Sequence, residues 1–138
     1  MEVQHMPKVL IIDDSAVMRK MIQRIIQQSG FLIDEFVEAG DGKEGLEKAA
    51  SSNIDLILCD WNMPNMTGID FVKALRGSGL KSNIPVVMIT TESSETRIEE
   101  AKNSGANGYL TKPFTPDQLK TKLPVRQSGA VLSDLSHD

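Results

Sequence analysis

The sequence predicts an α/β fold with a parallel sheet covered by helices on both faces. Three runs rich in Val, Ile and Leu carry that reading: Lys8 to Ile12, Asp55 to Cys59, and Pro85 to Ile89. They are apolar without strict alternation, as strands buried on both faces are. Between them lie segments whose apolar residues recur at helical spacing, and strands alternating with helices imply parallel pairing. With 138 residues, one domain is the default, and the chain is long enough to bury a core.

The elements follow in order. After the first strand, Met18, Met21, Ile22, Ile25 and Ile26 form an apolar stripe closed by Gly30, which predicts a helix with both methionines as core filler. Ile33 to Val37 alternates in polarity and predicts a second strand. Lys43 to Ala50, Gly68 to Arg76 and Ser94 to Asn103 predict three more helices, each ending near glycine or polar turn residues. The last of these has Glu95, Glu99 and Glu100 outside and only Ile98 and Ala101 as anchors, which marks it as loosely held or partner-facing. Gly108 to Thr111 predicts the fifth strand. Thr115-Pro116-Asp117-Gln118 then opens a fifth helix, with Thr115 as cap, Pro116 in the first position and Gln118 completing a capping box.

Composition narrows the function. A net charge of −4 and a pI near 5.2 argue against a nucleic-acid surface, which presents a basic face. No apolar run approaches the ~20 residues needed to span a bilayer, which predicts no membrane insertion. Met1 to Pro7 lack the basic start and apolar stretch of a signal peptide. A single cysteine, Cys59, excludes an internal disulfide and suits a reducing compartment. Cytoplasmic residence is the expectation. Cys59 itself reads as a small buried hydrophobe, and His5 and His137, without partner motifs, read as solvated side chains.

In a doubly wound sheet, ligands bind beyond the carboxyl ends of the strands. There the sequence sets an unusual group: Asp13 and Asp14 after the first strand, Asp60 after the third, Thr90 after the fourth, Lys112 after the fifth. Three carboxylates meeting at one sheet edge repel one another, so one must take up a proton or a cation must join them. Ligands that are all oxygens favour Mg²⁺, or Mn²⁺, over zinc. Lys112 adds positive charge from the other side. A metal and a lysine bracketing a carboxylate make a pocket for a phosphoryl group. Thr90 can donate to one of its oxygens, and Asp60, the central carboxylate, becomes the nucleophile that forms an acyl phosphate. Any one of these residues alone would be loop decoration; together they are a site.

From about Met6 to Leu123 the chain resembles the receiver domains of two-component response regulators, and among them the CheY-like chemotaxis proteins. The residues carrying the likeness are Asp13-Asp14, Asp60-Trp61-Asn62-Met63-Pro64 with Gly68, Thr90, Tyr109, and Lys112-Pro113-Phe114. The resemblance implies a flavodoxin-like five-stranded sheet in the order 2-1-3-4-5 with five helices. It implies that Asp60 is the phosphoacceptor, Asp14 the direct metal ligand and Asp13 one acting through water, with the backbone carbonyl of Asn62 completing the metal site. Lys112 is then the phosphate-binding lysine, Thr90 and Tyr109 the switch pair, and Asn62 and Glu92 the positions that tune hydrolysis of the acyl phosphate. The Lys112-Pro113 bond is similar to one that is cis in the family.

The same resemblance implies the partners: a histidine kinase as donor, the flagellar motor switch as the output of a chemotaxis regulator, and a phosphatase that ends the signal. Beyond autophosphorylation and autodephosphorylation no enzymatic turnover is expected. A receiver serving a non-flagellar output or a phosphorelay is the alternative within the family. An alternative of another class is an aspartyl-phosphate phosphatase of the haloacid dehalogenase type. Those enzymes need a general acid two residues after the nucleophile, where this chain has Asn62. The expected organisation is a receiver domain over 1–123 and a tail over 124–138. Pro124 should end the fifth helix near Leu123, leaving Val131, Leu132 and Leu135 on that tail.

Overall fold

A computed structural model of the chain describes residues 7–79, 83–92 and 94–122. Five strands and five helices alternate: β1 (Lys8–Ile12), α1 (Ala16–Gln28), β2 (Glu35–Ala39), α2 (Gly42–Ser51), β3 (Leu56–Asp60), α3 (Gly68–Gly77), β4 (Val86–Thr90), α4 (Glu95–Ser104), β5 (Gly108–Thr111) and α5 (Pro116–Lys122). All pairings are parallel and the strand order is β2-β1-β3-β4-β5, the flavodoxin-like order expected. Leu123, Pro124 and the tail to Asp138, like His5, lie outside the described residues.

Successive residues of each central strand feed opposite faces, as the period of two demands. Leu10, Ile12, Ile57, Cys59, Val86 and Met88 point to one core, shared with Phe71, Val72 and Leu75 of α3. Val9, Ile11, Leu56, Leu58, Val87 and Ile89 point to the other, shared with Ile22 and Ile26 of α1 and Leu119 of α5. β1, β3 and β4 are therefore buried on both sides, which is why they lack polar alternation.

The helices start where side chains satisfy orphan amides. Ser15, Asp41, Thr67 and Ser94 cap α1 to α4. The expected capping box of α5 is present, with Thr115 N donating to Gln118 Oε1 at 2.9 Å and Gln118 N to Thr115 Oγ1 at 3.2 Å. Gly30 and Gly105 hold positive φ of 88° and 107°, the left-handed backbone that ends a helix.

Three expectations shift. β2 lies two residues later than its pattern suggested, because its ladder begins where β1 begins, at Lys8 opposite Glu35. β3 and β4 each lie one residue later, so Asp60 and Thr90 are the last residues of their strands rather than the first beyond them. Met21 is not core filler: it is exposed on α1, as is Val17 one turn earlier. The i, i+4 row through Met18, Ile22 and Ile26 faces the sheet, and Met21 falls off that row.

Candidate functional site

The carboxyl ends of β1, β3, β4 and β5 lie side by side, and their register brings the polar residues together. Cys59 opposes Ile12 on one side and Met88 on the other, and Thr90 opposes Thr111. One residue beyond β1 is Asp13, two beyond is Asp14; Asp60 ends β3; Lys112 follows β5. One carboxylate oxygen from each of Asp13, Asp14 and Asp60 lies within 4.8 Å of the others. Lys112 Nζ reaches Asp60 Oδ1 at 3.3 Å and Asp13 Oδ2 at 3.4 Å.

Burial makes this grouping costly. Asp13 is 2 % exposed and Asp60 6 %, whereas Asp14 is open to solvent. The Asp60 carboxyl is raised above its ordinary 3.8, first by burial and then by the charge of Asp13. Lys112 and the backbone N–H of Asn62 pull the other way and do not fully offset it. A raised carboxylate beside a second one is the electrostatic signature of a site that wants another positive charge. The all-oxygen donor set suits a hard cation such as Mg²⁺.

Main-chain amides hold the frame. Asp13 N donates to Ala39 O at 3.1 Å, Ser15 N to Asp13 Oδ1 at 2.9 Å, and Lys112 N to Thr90 O at 2.7 Å. The Lys112-Pro113 bond is cis, as expected. Gly68 N donates to Trp61 O at 2.9 Å, fastening the start of α3 under the loop after Asp60. A side chain at Gly68 would collide with the Asp60 carbonyl oxygen, 2.6 Å from the position of its Cβ. That close approach explains the glycine.

The remaining site residues lie around this centre. Thr90 is 2 % exposed, and its hydroxyl oxygen accepts from Glu92 N at 3.0 Å. Tyr109 sits half-buried on β5 opposite Met88, with the Lys122 ammonium 4.6 Å from its ring centroid. The side chains of Asn62 and Glu92 are solvent-exposed in the loops after β3 and β4. Cys59 is fully buried, and burial drives its thiol well above its usual range; it packs rather than reacts.

Two arginines escaped the sequence reading. Arg19 of α1 donates to the Asp13 carbonyl oxygen at 2.5 Å and to Glu38 at 2.9 Å. Lys20 joins at 2.8 Å, and the two cations draw the Glu38 carboxyl down to about 2. Arg97 of α4 stacks over Trp61. No spacing rule signals either one, since each reaches to another element, Arg19 to Glu38 of β2 and Arg97 to Trp61 after β3.

Fold and site together define a flavodoxin-like α/β domain with a carboxylate-and-lysine centre at the carboxyl edge of its sheet. The chain matches the response regulator receiver domain over residues 9–124, and it belongs to that family. It is 42% identical over 116 residues to the chemotaxis protein CheY of Pseudomonas aeruginosa, covering 84% of this chain and 92% of that protein. It is 40% identical over 119 residues to CheY1 of Helicobacter pylori, covering 86% and 94%. Among solved structures, Vibrio cholerae chemotaxis protein CheY4 superposes with a TM-score of 0.76 at 43% identity, covering 86% of this chain and 97% of that one. This is a CheY-like receiver domain.

Proposed function

We propose that the chain is a single-domain response regulator phosphorylated on Asp60 by a histidine kinase, with chemotaxis as its setting. One observation carries the reading: a buried Asp60 held 3.3 Å from Lys112 within the Asp13, Asp14 and Asp60 group. Asp60 Oδ attacks phosphorus, the P–N bond of a phosphohistidine breaks, and the freed imidazole takes a proton. Lys112 pairs with the phosphoryl oxygens as they arrive, and the Thr90 hydroxyl donates to one of them. Asp13, Asp14, Asp60 and the carbonyl of Asn62 would hold Mg²⁺, or Mn²⁺ in its place, which supplies the positive charge that offsets the incoming phosphoryl group.

The signal then leaves through packing. Thr90 drawn toward the phosphoryl group vacates space that a rotated Tyr109 fills, and a bias of a few kcal/mol between two packings is enough. Asn62 and Glu92 tune how water reaches the acyl phosphate. The output partner is the flagellar motor switch, in keeping with the chemotaxis proteins the chain resembles, and a separate phosphatase ends the signal. The receiver occupies 1–123 with a tail over 124–138, and it works in the cytoplasm. No described helix is long and apolar enough to cross a membrane. Membership in the receiver family favours this reading over hydrolysis of the dehalogenase type.

The test is labelling by acetyl phosphate with Mg²⁺. The unaltered chain should gain one phosphoryl group, and Asp60→Asn should gain none while keeping its fold by circular dichroism. Full labelling of that variant at a single other aspartate would overturn the assignment.

A further inference from the structure

We propose that Arg97 is a positioning residue for the phosphoacceptor site, setting the charge at its rim through Glu92 and Trp61. This rests on the proposed phosphorylation of Asp60. Arg97 Cζ lies 4.5 Å from the Trp61 ring centroid, a distance at which a guanidinium is attracted to an indole face. Its Nε lies 3.5 Å from Glu92 Oε2. Trp61 directly follows Asp60 and is buried; Glu92 lies two residues after Thr90, and its N–H binds the Thr90 hydroxyl oxygen. One side chain on α4 thus touches both loops that leave the site.

The arrangement is locally prepared. Ser94 caps α4 by accepting from the Arg97 N–H at 3.2 Å, which fixes the backbone from which the guanidinium extends. Three of its charged helix neighbours, Glu95, Glu99 and Glu100, are acidic and exposed. Among the described residues, Arg97 is the cation paired with Glu92. A phosphodonor is an anion, and an unbalanced carboxylate beside the entrance would repel it. With Arg97 Nε 3.5 Å from Glu92 Oε2, the guanidinium offsets part of that negative charge at the solvent-exposed rim.

Initial rates of labelling by acetyl phosphate test this, at ionic strengths from low to high. Arg97→Gln should label about threefold more slowly at low salt and converge on the unaltered chain at high salt, as expected for one charge acting across several ångströms of wet surface. Arg97→Lys, which keeps the charge, should stay near the unaltered rate, and adding Glu92→Gln to Arg97→Gln should recover most of the loss. In chelator, without any donor, both Arg97 variants should shift Trp61 emission because the guanidinium over its ring is gone. A structural defect alone would slow Arg97→Gln equally at every salt concentration, which would overturn the proposal. So would an Arg97→Gln rate equal to that of the unaltered chain. If the unaltered chain takes no label at all, the phosphorylation reading fails first and this inference with it.

Discussion

Asp60 is held in a place that disfavours its charge, and that has a consequence for stability before any phosphate arrives. Its carboxyl is raised from 3.8 by burial and by Asp13, so the folded state holds the Asp60 proton more tightly than the unfolded chain does. The contribution of this group is then most favourable below pH 3.8 and is lost as pH rises through the raised folded value. Asp60→Asn carries no such charge, and Lys112 keeps Asp13 as a partner at 3.4 Å. In chelator, the variant should match the unaltered chain near pH 3.5 and exceed it at pH 7 by about 1–2 kcal/mol. Urea melts at the two pH values measure this. A variant less stable at pH 7 would mean that Asp60 is held by favourable bonds rather than stranded among carboxylates.

Local patterning made most elements readable, because strands buried on both faces are apolar and helix starts need caps. β2 was misplaced for the same reason that its half-exposed pattern looked convincing: alternation marks a face, but the ladder with β1 sets the ends. The strand-end residues Asp13, Asp14, Asp60, Thr90 and Lys112 were legible since parallel strands must deliver their last residues to one edge. Arg19 and Arg97 were not, since a side chain reaching across elements leaves no period in the sequence. Gly68 joins the two kinds of information. Added atoms at its Cβ position would press on the Asp60 carbonyl oxygen at 2.6 Å and on Trp61 Cα at 3.0 Å, and neither can swing aside as a side-chain tip could. Gly68→Ala should therefore lose about 1–3 kcal/mol of stability and slow labelling of Asp60, whose own backbone is displaced. A loss under 0.5 kcal/mol in urea melts, about the scatter of harmless surface changes, would show that α3 is free to lift away from the loop.

At the scale of the whole molecule, the charged centre is assembled from several strands of the sheet. β1, β3 and β5 each contribute a charged group to one point beside their carboxyl ends, and these groups are brought near one another only by the folded sheet. A cation that joins the three carboxylates thus binds the native state and has no comparable site on the unfolded chain. Stabilisation then follows RT ln(1 + [L]/Kd), about 2.7 kcal/mol at a hundredfold excess over Kd. For a chain of this size that corresponds to a rise in Tm of roughly 5–15 °C. The rise should continue with the logarithm of Mg²⁺ concentration and vanish in chelator. Asp14→Asn should flatten it, since an exposed ligand is lost with little change to the core. Asp13→Asn should flatten it too while starting from a higher Tm in chelator, because Asp13 is the buried charge that opposes Asp60. Thermal melts of the three proteins across graded Mg²⁺ decide it. If the unaltered chain melts at one temperature at all Mg²⁺ concentrations, the three carboxylates do not act as one cation site.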